Sequence, residues 1–416
     1  MLDPQTAVRL VRQEWSQVVA VAMRILGDLD EAEDMAQEAL LEATRRWPVD
    51  GVPANPGAWL TTVARNRALN RRRDERRRGG PTLALDEGLV PVMTGDAADA
   101  ADLDGFGDDR LRLVVLCCHP SLRRDAQVAL TLRLVGGLTV REIANAFVQR
   151  EATVAQRISR AKRSLHEHRV GFELPPVAEL PARLGAVLEV VYLVFNEGYG
   201  PHSSDQRRRS LCQEALMLAD QLTEIAPTVP EVWGLAALLQ FQSSRFDARL
   251  APDGTLIPLD EQDRRRWDRQ RVRLGERCLA AGHNAAGPGR PIGPYLLQAE
   301  IAARHARAPT FADTDWHAIE QLYAALVEIT GNPIVRLNWA IARSFTHGPQ
   351  EALGIIDQLG DVLGDYHLLA ATRADLLRRA GRTEEAAELF QALVASASTE
   401  PQRRLYRRRL AECADS

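Results

Sequence analysis

Asp125-Ala-Gln-Val-Ala-Leu-Thr-Leu-Arg-Leu-Val-Gly-Gly-Leu-Thr-Val-Arg-Glu-Ile-Ala-Asn-Ala-Phe147, followed by Thr153-Val-Ala-Gln-Arg-Ile-Ser-Arg-Ala-Lys-Arg-Ser-Leu165, is the stretch that decides the fold class. It predicts a helix over about Asp125–Leu134 and a turn at Val135–Leu138. Thr139 and Glu142 have the spacing of a capping box, which opens a short helix containing Ile143, Ala144 and Phe147. Thr153 and Gln156 repeat that spacing and open a longer, basic helix. Short helix, turn and longer basic helix make a helix-turn-helix pattern.

At roughly 100° per residue, Val154, Ile158, Ala161 and Leu165 share one face of that longer helix and are expected to pack inward. Gln156, Ser159, Arg160 and Arg163 lie on the opposite face, with Arg157 and Lys162 on its flanks. Arginine pairs with guanine and glutamine with adenine through two hydrogen bonds each, so the outward face can read base edges. The flanking cations suit phosphates, which fix position rather than sequence.

Working outward, Asn55-Pro56 marks another helix start, with asparagine as cap and proline at the first helical position. On the helix it opens, Trp59, Val63, Asn66 and Asn70 share a stripe. An aromatic with two amides is unusual for a core and suits an unpaired base, with arginines behind it for the phosphates. The competing reading is Trp59 as a core anchor. Upstream, Asp30 with Glu33 has capping-box spacing for a helix ending near Trp47 before a Pro48–Pro53 loop. Its inner face would be Ala32, Met35, Ala36, Ala39 and Leu40, and its outer face is acidic. Such a helix suits a basic protein partner, not DNA.

The formal net charge of −4 hides this partition. Residues 28–42 hold seven acids and no base, and residues 65–78 hold eight arginines against two acids. Residues 79–109 hold eight acids and no base, and residues 110–170 carry a net +8. Local fields of this kind steer partners even when the total is balanced. Lys162 is the single lysine.

Several classes are excluded. No signal peptide is visible, and no apolar run is long enough to span a membrane. Five scattered cysteines indicate a reducing compartment, the cytoplasm. Cys117-Cys118-His119 is a poor metal set, because adjacent cysteines on a helix cannot both face one ion. No metal and no cofactor are expected. There is no phosphate-binding glycine loop and no HExxH pattern, and Glu197 with His202 makes a weak catalytic pair, so no enzyme is expected.

The remaining chain reads as helix, apart from a tight turn at Pro252-Asp253-Gly254 within Leu250–Leu259. Glu351, Ala352, Ile356 and Leu359 recur as Glu385, Ala386, Phe390 and Leu393, each 34 residues on. That is the tetratricopeptide period, and Gly381, Ala386 and Phe390 fit the packing of such helix pairs. Trp233–Phe241 and Tyr295–Ala303 are candidates for further degenerate pairs. The expected organisation is all-α: 1–78, an acidic linker at 79–109, a helix-turn-helix domain at 110–170, and a helical extension at 175–416.

Asp28–Leu41 followed by Asn55–Asn70 resembles region 2 of bacterial sigma factors of the extracytoplasmic-function (ECF) group. Val128–Ala144 with Thr153–Leu165 resembles their region 4, and the C-terminal part is similar to the tetratricopeptide-like extension of one subgroup. The resemblance implies that Asp34, Gln37 and Glu38 dock on the clamp helices of core RNA polymerase. It implies that Trp59, Asn66 and Asn70 hold the melted −10 element, with Arg65, Arg67, Arg71, Arg72 and Arg73 on the backbone. The helix bearing Thr153, Gln156, Arg157, Ser159, Arg160, Lys162 and Arg163 would read the −35 element, near the polymerase flap. Where the family often carries a polar or basic residue this chain has Ala155, which moves the expected base contacts to Gln156 and Arg160. Expected partners are core RNA polymerase, promoter DNA and an anti-sigma or other regulatory protein, with no membrane. The alternative is a helix-turn-helix regulator with a C-terminal sensor domain, which leaves the Trp59 stripe and the acidic helix unused.

Overall fold

Short polar caps and turn glycines set the helix ends. In the computed structural model, which describes residues 4–77, 106–147, 149–176, 179–199, 206–364 and 366–414, α1 (Pro4–Leu26) stops at Gly27. The Asp28 carboxylate then accepts from the amides of Asp30 and Glu31 at 2.8 and 3.0 Å and opens α2 (Leu29–Asp50). The expected Asp30/Glu33 box does not form, because Asp28 already satisfies the first amides and Glu33 is buried elsewhere. α2 also continues through Pro48 to Asp50, so the loop begins at Gly51 and not at Pro48. A proline inside a helix loses one i→i−4 hydrogen bond and crowds the carbonyl four residues back, and α2 ends only two residues after Pro48. Asn55 caps α3 (Pro56–Arg77) as expected, its Oδ1 accepting from Ala58 at 3.0 Å.

α4 (Phe106–Cys117), α5 (Arg124–Leu134), α6 (Val140–Ala146), α7 (Glu151–Glu167) and α8 (Leu180–Tyr199) follow. The Thr139/Glu142 box forms in both directions: Thr139 N–H donates to Glu142 Oε2 at 2.8 Å, and Glu142 N–H to Thr139 Oγ1 at 3.1 Å. The Thr153/Gln156 box does not. α7 starts earlier, at Glu151, with Arg150 at the cap and no side-chain cap bond, so Thr153 is already helical. Glu151 in the first turn complements the helix dipole instead.

The chain folds as two compact units, Met1–Val194 and Phe195–Ser416. The division falls inside α8, whose Ala186 carbonyl and Glu189 carboxylate both receive the Arg124 guanidinium. In the first unit the predicted inner faces are buried except at Leu40, which is half-buried. Ala32, Met35, Ala36 and Ala39 lie inward on α2, and Val154, Ile158, Ala161 and Leu165 on α7.

The described residues of the second unit are mainly helical: α9 (Gln206–Ile225), α10 (Pro230–Ser243), α11 (Arg269–Ala286) and α12 (Pro294–Arg307) precede three helix pairs. The Pro252–Gly254 turn closes a single antiparallel bridge between Leu250 and Leu256, and the described residues contain no β-strand. Gly234 lets α10 meet the start of α12 directly, since a Cβ there would lie 2.6 Å from the Leu296 nitrogen. α12 is held by charge at both ends. Glu231 accepts from the Tyr295 and Leu296 amides at 2.8 and 3.2 Å. Arg264 donates to the carbonyls of His305 and Ala308 at 2.7 and 3.0 Å, and to Thr314 Oγ1 at 2.8 Å. An anion at the N-terminus and a cation at the C-terminus is the favourable sense for the helix dipole.

The three pairs are α13 (Trp316–Thr330) with α14 (Pro333–Thr346), α15 (Pro349–Leu363) with α16 (His367–Arg379), and α17 (Thr383–Ser396) with α18 (Glu400–Ala414). The first helices of successive pairs begin 33 and 34 residues apart, and the second helices 34 and 33. Ala352, Ile356 and Leu359 and their counterparts Ala386, Phe390 and Leu393 lie in one core. No described helix is long and apolar enough to cross a membrane.

Candidate nucleic-acid interface

The outward face of α7 is open. Gln156, Ser159, Arg160 and Arg163 are all exposed, as the wheel requires, and Thr153 is exposed beside them. The two flanking cations are not. Arg157 bonds Gln149 Oε1 at 3.0 Å and pairs with Asp125 at 3.1 Å. Lys162 is only 10% exposed, with its Nζ 2.6 Å from Asp30 Oδ1 and 2.8 Å from Glu33 Oε2. A free phosphate contact was expected at Lys162. The structure instead turns this residue toward α2, where two carboxylates compensate its burial. Burial by itself works against the ammonium, and Glu33 and Asp30 more than offset it, so the Lys162 pKa is raised.

Glu33 is the centre of this network. Its side chain is 7% exposed and also receives Arg133 of α5. Above it, the Trp15 indole donates to the Arg133 carbonyl at 3.1 Å. Gly137, in the turn before α6, has φ of 69° and brings its backbone against Trp15, where a Cβ would lie 3.1 Å from the ring. A side chain there would meet both backbone strain and the indole. Arg24 reaches Asp109 at 3.2 Å. Nothing local in the sequence singles out Trp15 or Arg133 for these contacts, and Glu33 is expected there only as half of a capping box. Glu33 carried a signal: Leu29, Glu33, Ala36 and Leu40 follow helical spacing, and an acid within an apolar stripe implies a buried partner.

On α3, Asn66 and Asn70 are exposed, while Trp59 is half-buried edge-on against Trp47, with ring centroids 5.7 Å apart. Trp59 therefore combines a packing contact with a partly open face. Arg67 pairs with Glu38 at 2.5 Å and Glu42 at 3.3 Å, and Arg71 with Glu31 at 3.3 Å. Arg73 is exposed, and Arg65 and Arg72 are half-buried. Asp34 and Gln37 are exposed on α2, and Glu38 partly so. The acidic and basic residues singled out in the sequence thus lie on adjoining helices.

Cys117 and Cys118 are buried thiols, pushed up in pKa chiefly by burial, Cys118 to about 11. No group of three potential metal ligands occurs among the described residues. The acidic stretch 79–105 and His202 lie outside those residues.

Residues 10–78 match the family described as Sigma-70 region 2, and residues 112–165 match Sigma-70, region 4. Residues 183–283 match a Family of unknown function (DUF6596). A protein of Rhizobium meliloti (strain 1021) named "Uncharacterized protein R00370" is 40% identical over 92% of this chain and 90% of its own length. "ECF RNA polymerase sigma factor SigL" of Mycobacterium tuberculosis (strain ATCC 35801 / TMC 107 / Erdman) is 33% identical over 35% of this chain and 77% of its own length. "Probable ECF RNA polymerase sigma factor SigI" of Mycobacterium tuberculosis (strain CDC 1551 / Oshkosh) is 30% identical over 42% of this chain and 58% of its own length. No solved structure matches. With both sigma regions matched in order and a relative named as an ECF sigma factor covered over 77% of its length at 33% identity, the chain belongs to the ECF group of the sigma-70 family.

Proposed function

We propose that the chain directs core RNA polymerase to promoters and helps to open them, and that its C-terminal unit regulates that activity or contacts the polymerase. The observation that carries the first part is the exposed Gln156–Arg160–Arg163 face of α7 above a buried Val154–Leu165 stripe. Gln156 and Arg160 read bases of the −35 element, while Thr153, Ser159 and Arg163 support them. Arg157 and Lys162 take phosphates once released from Asp125, Asp30 and Glu33. Trp59, Asn66 and Asn70 hold an unpaired base of the −10 element, with Arg65, Arg67, Arg71, Arg72 and Arg73 along its backbone. Asp34, Gln37 and Glu38 dock on the clamp helices, and region 4 lies near the flap.

The extension is read as tetratricopeptide-like because three helix pairs recur at 33–34 residues, the last two of them packed around one shared core. Stacked pairs of this kind present an extended surface to partners, which suits an anti-sigma or other regulatory protein. A helix-turn-helix repressor would not require core polymerase, so promoter-directed transcription with core enzyme tests the reading.

A further inference from the structure

Asp30 and Glu33 stand on α2, the helix assigned above to polymerase docking, yet they face the DNA-reading domain. Two carboxylate oxygens hold the Lys162 ammonium at 2.6 and 2.8 Å, as two phosphate oxygens would. Glu33 simultaneously holds Arg133 of α5, so one buried acid clasps two elements of the helix-turn-helix. Trp15 on the Arg133 carbonyl and against Gly137, and Arg24 on Asp109, fasten the same face to α1. The Glu33 part of the clasp is buried, with Glu33, Lys162 and Arg133 only 7, 10 and 15% exposed, so salt screens it less than a surface pair, whereas Asp30 is 75% exposed and closes the clasp from the solvent side.

We propose that Asp30 and Glu33 are an internal substitute for promoter phosphates. In the free chain they occupy Lys162 and latch α5 and α7 onto α1 and α2. Duplex DNA displaces them, and polymerase assists by engaging α2. The reading face of α7 stays exposed throughout. What the latch withholds is the phosphate seat at Lys162 and the freedom of the two domains to separate. This inference rests on the DNA-reading role proposed for α7.

The test uses the full chain without polymerase and a fluorescently labelled mixed-sequence duplex. Affinity is measured across salt concentrations for the wild type, Asp30→Asn/Glu33→Gln and the charge-matched Asp50→Asn/Glu179→Gln. The latch variant is expected to bind about tenfold more tightly, with a log–log salt slope steeper by about one, because Lys162 now releases a counterion. The control removes two exposed acids remote from the latch and is expected to change affinity by no more than about twofold. Lys162→Met is expected to raise amide exchange in residues 29–37 and 154–165 without steepening the slope. In the wild type, saturating duplex is expected to raise exchange in residues 29–37, a readout that stands even if the latch variant fails to fold. Equal affinity and slope for the latch variant and its control would overturn the proposal, as would unchanged exchange on adding duplex. If the wild type still supports promoter-directed transcription after such a result, the latch alone has failed. If no variant binds duplex and none directs core enzyme, the reading of α7 has failed with it.

Discussion

Gln156 and Arg160 are exposed while Arg157 and Lys162, on the same helix, are tied down in ion pairs, and the proposed function gives base reading to the first two and phosphate holding to the second two. Arg160→Ala is expected to cost about 1–3 kcal/mol at the cognate −35 element and to relax preference at one base position. Binding selection from a randomised −35 library checks this, and unchanged preference would reassign the reading to Arg163. A second residue-scale consequence concerns His305. Burial, with Arg245 and Arg264 nearby, lowers its pKa from 6.5 to about 3. The unfolded chain therefore binds a proton that the folded chain refuses between those values. Stability is full above about pH 6.5 and falls by up to roughly 1.4 kcal/mol per unit as pH drops toward 3. Denaturant titration across that range is expected to show this slope in the wild type and a shallower one in His305→Asn.

Among the elements, legibility followed the range of the deciding interaction. The Thr139/Glu142 box was readable because both partners lie within one turn, and it forms as expected. The Thr153/Gln156 spacing was equally good but idle, because Glu151 had already begun the helix. Two repeat units were visible at an offset of 34. The preceding pair was hidden because its counterparts sit 33 residues back, where Ile319, Tyr323 and Leu326 replace Ala352, Ile356 and Leu359. The core tolerates this exchange because it demands apolar volume at those positions, not identity. α8 is bound to α5 through Arg124, so a truncation that tests the extension should keep α8 whole. A chain ending at Tyr199 is expected to retain core binding and to show altered output from a target promoter. Unchanged output in cells and in vitro would remove the regulatory role from the extension.

Across the whole molecule, the sequence disclosed both sigma regions, their order and the exposed polar face of α7. It did not disclose the latch, because its contacts join residues far apart in the chain, Trp15 with Arg133 across 118 positions and Glu33 with Lys162 across 129, and these residues carry no shared pattern. The weakly negative total charge is the sum of opposed local fields, an acidic α2 beside a basic α3 and a basic helix-turn-helix. In the free first unit some of those opposed charges are spent on each other, notably Arg67 with Glu38 and Lys162 with Glu33. Glu38, Arg67 and Lys162 are also the residues that the proposed function gives to polymerase and DNA, so on that proposal both partners compete with internal pairs. Run-off transcription with purified core polymerase on the DNA upstream of this chain's own coding sequence tests the central claim most directly. The account predicts a discrete transcript that requires the chain and disappears when the −35 or −10 segment is scrambled. A chain that binds the DNA yet yields no transcript with core enzyme would contradict it.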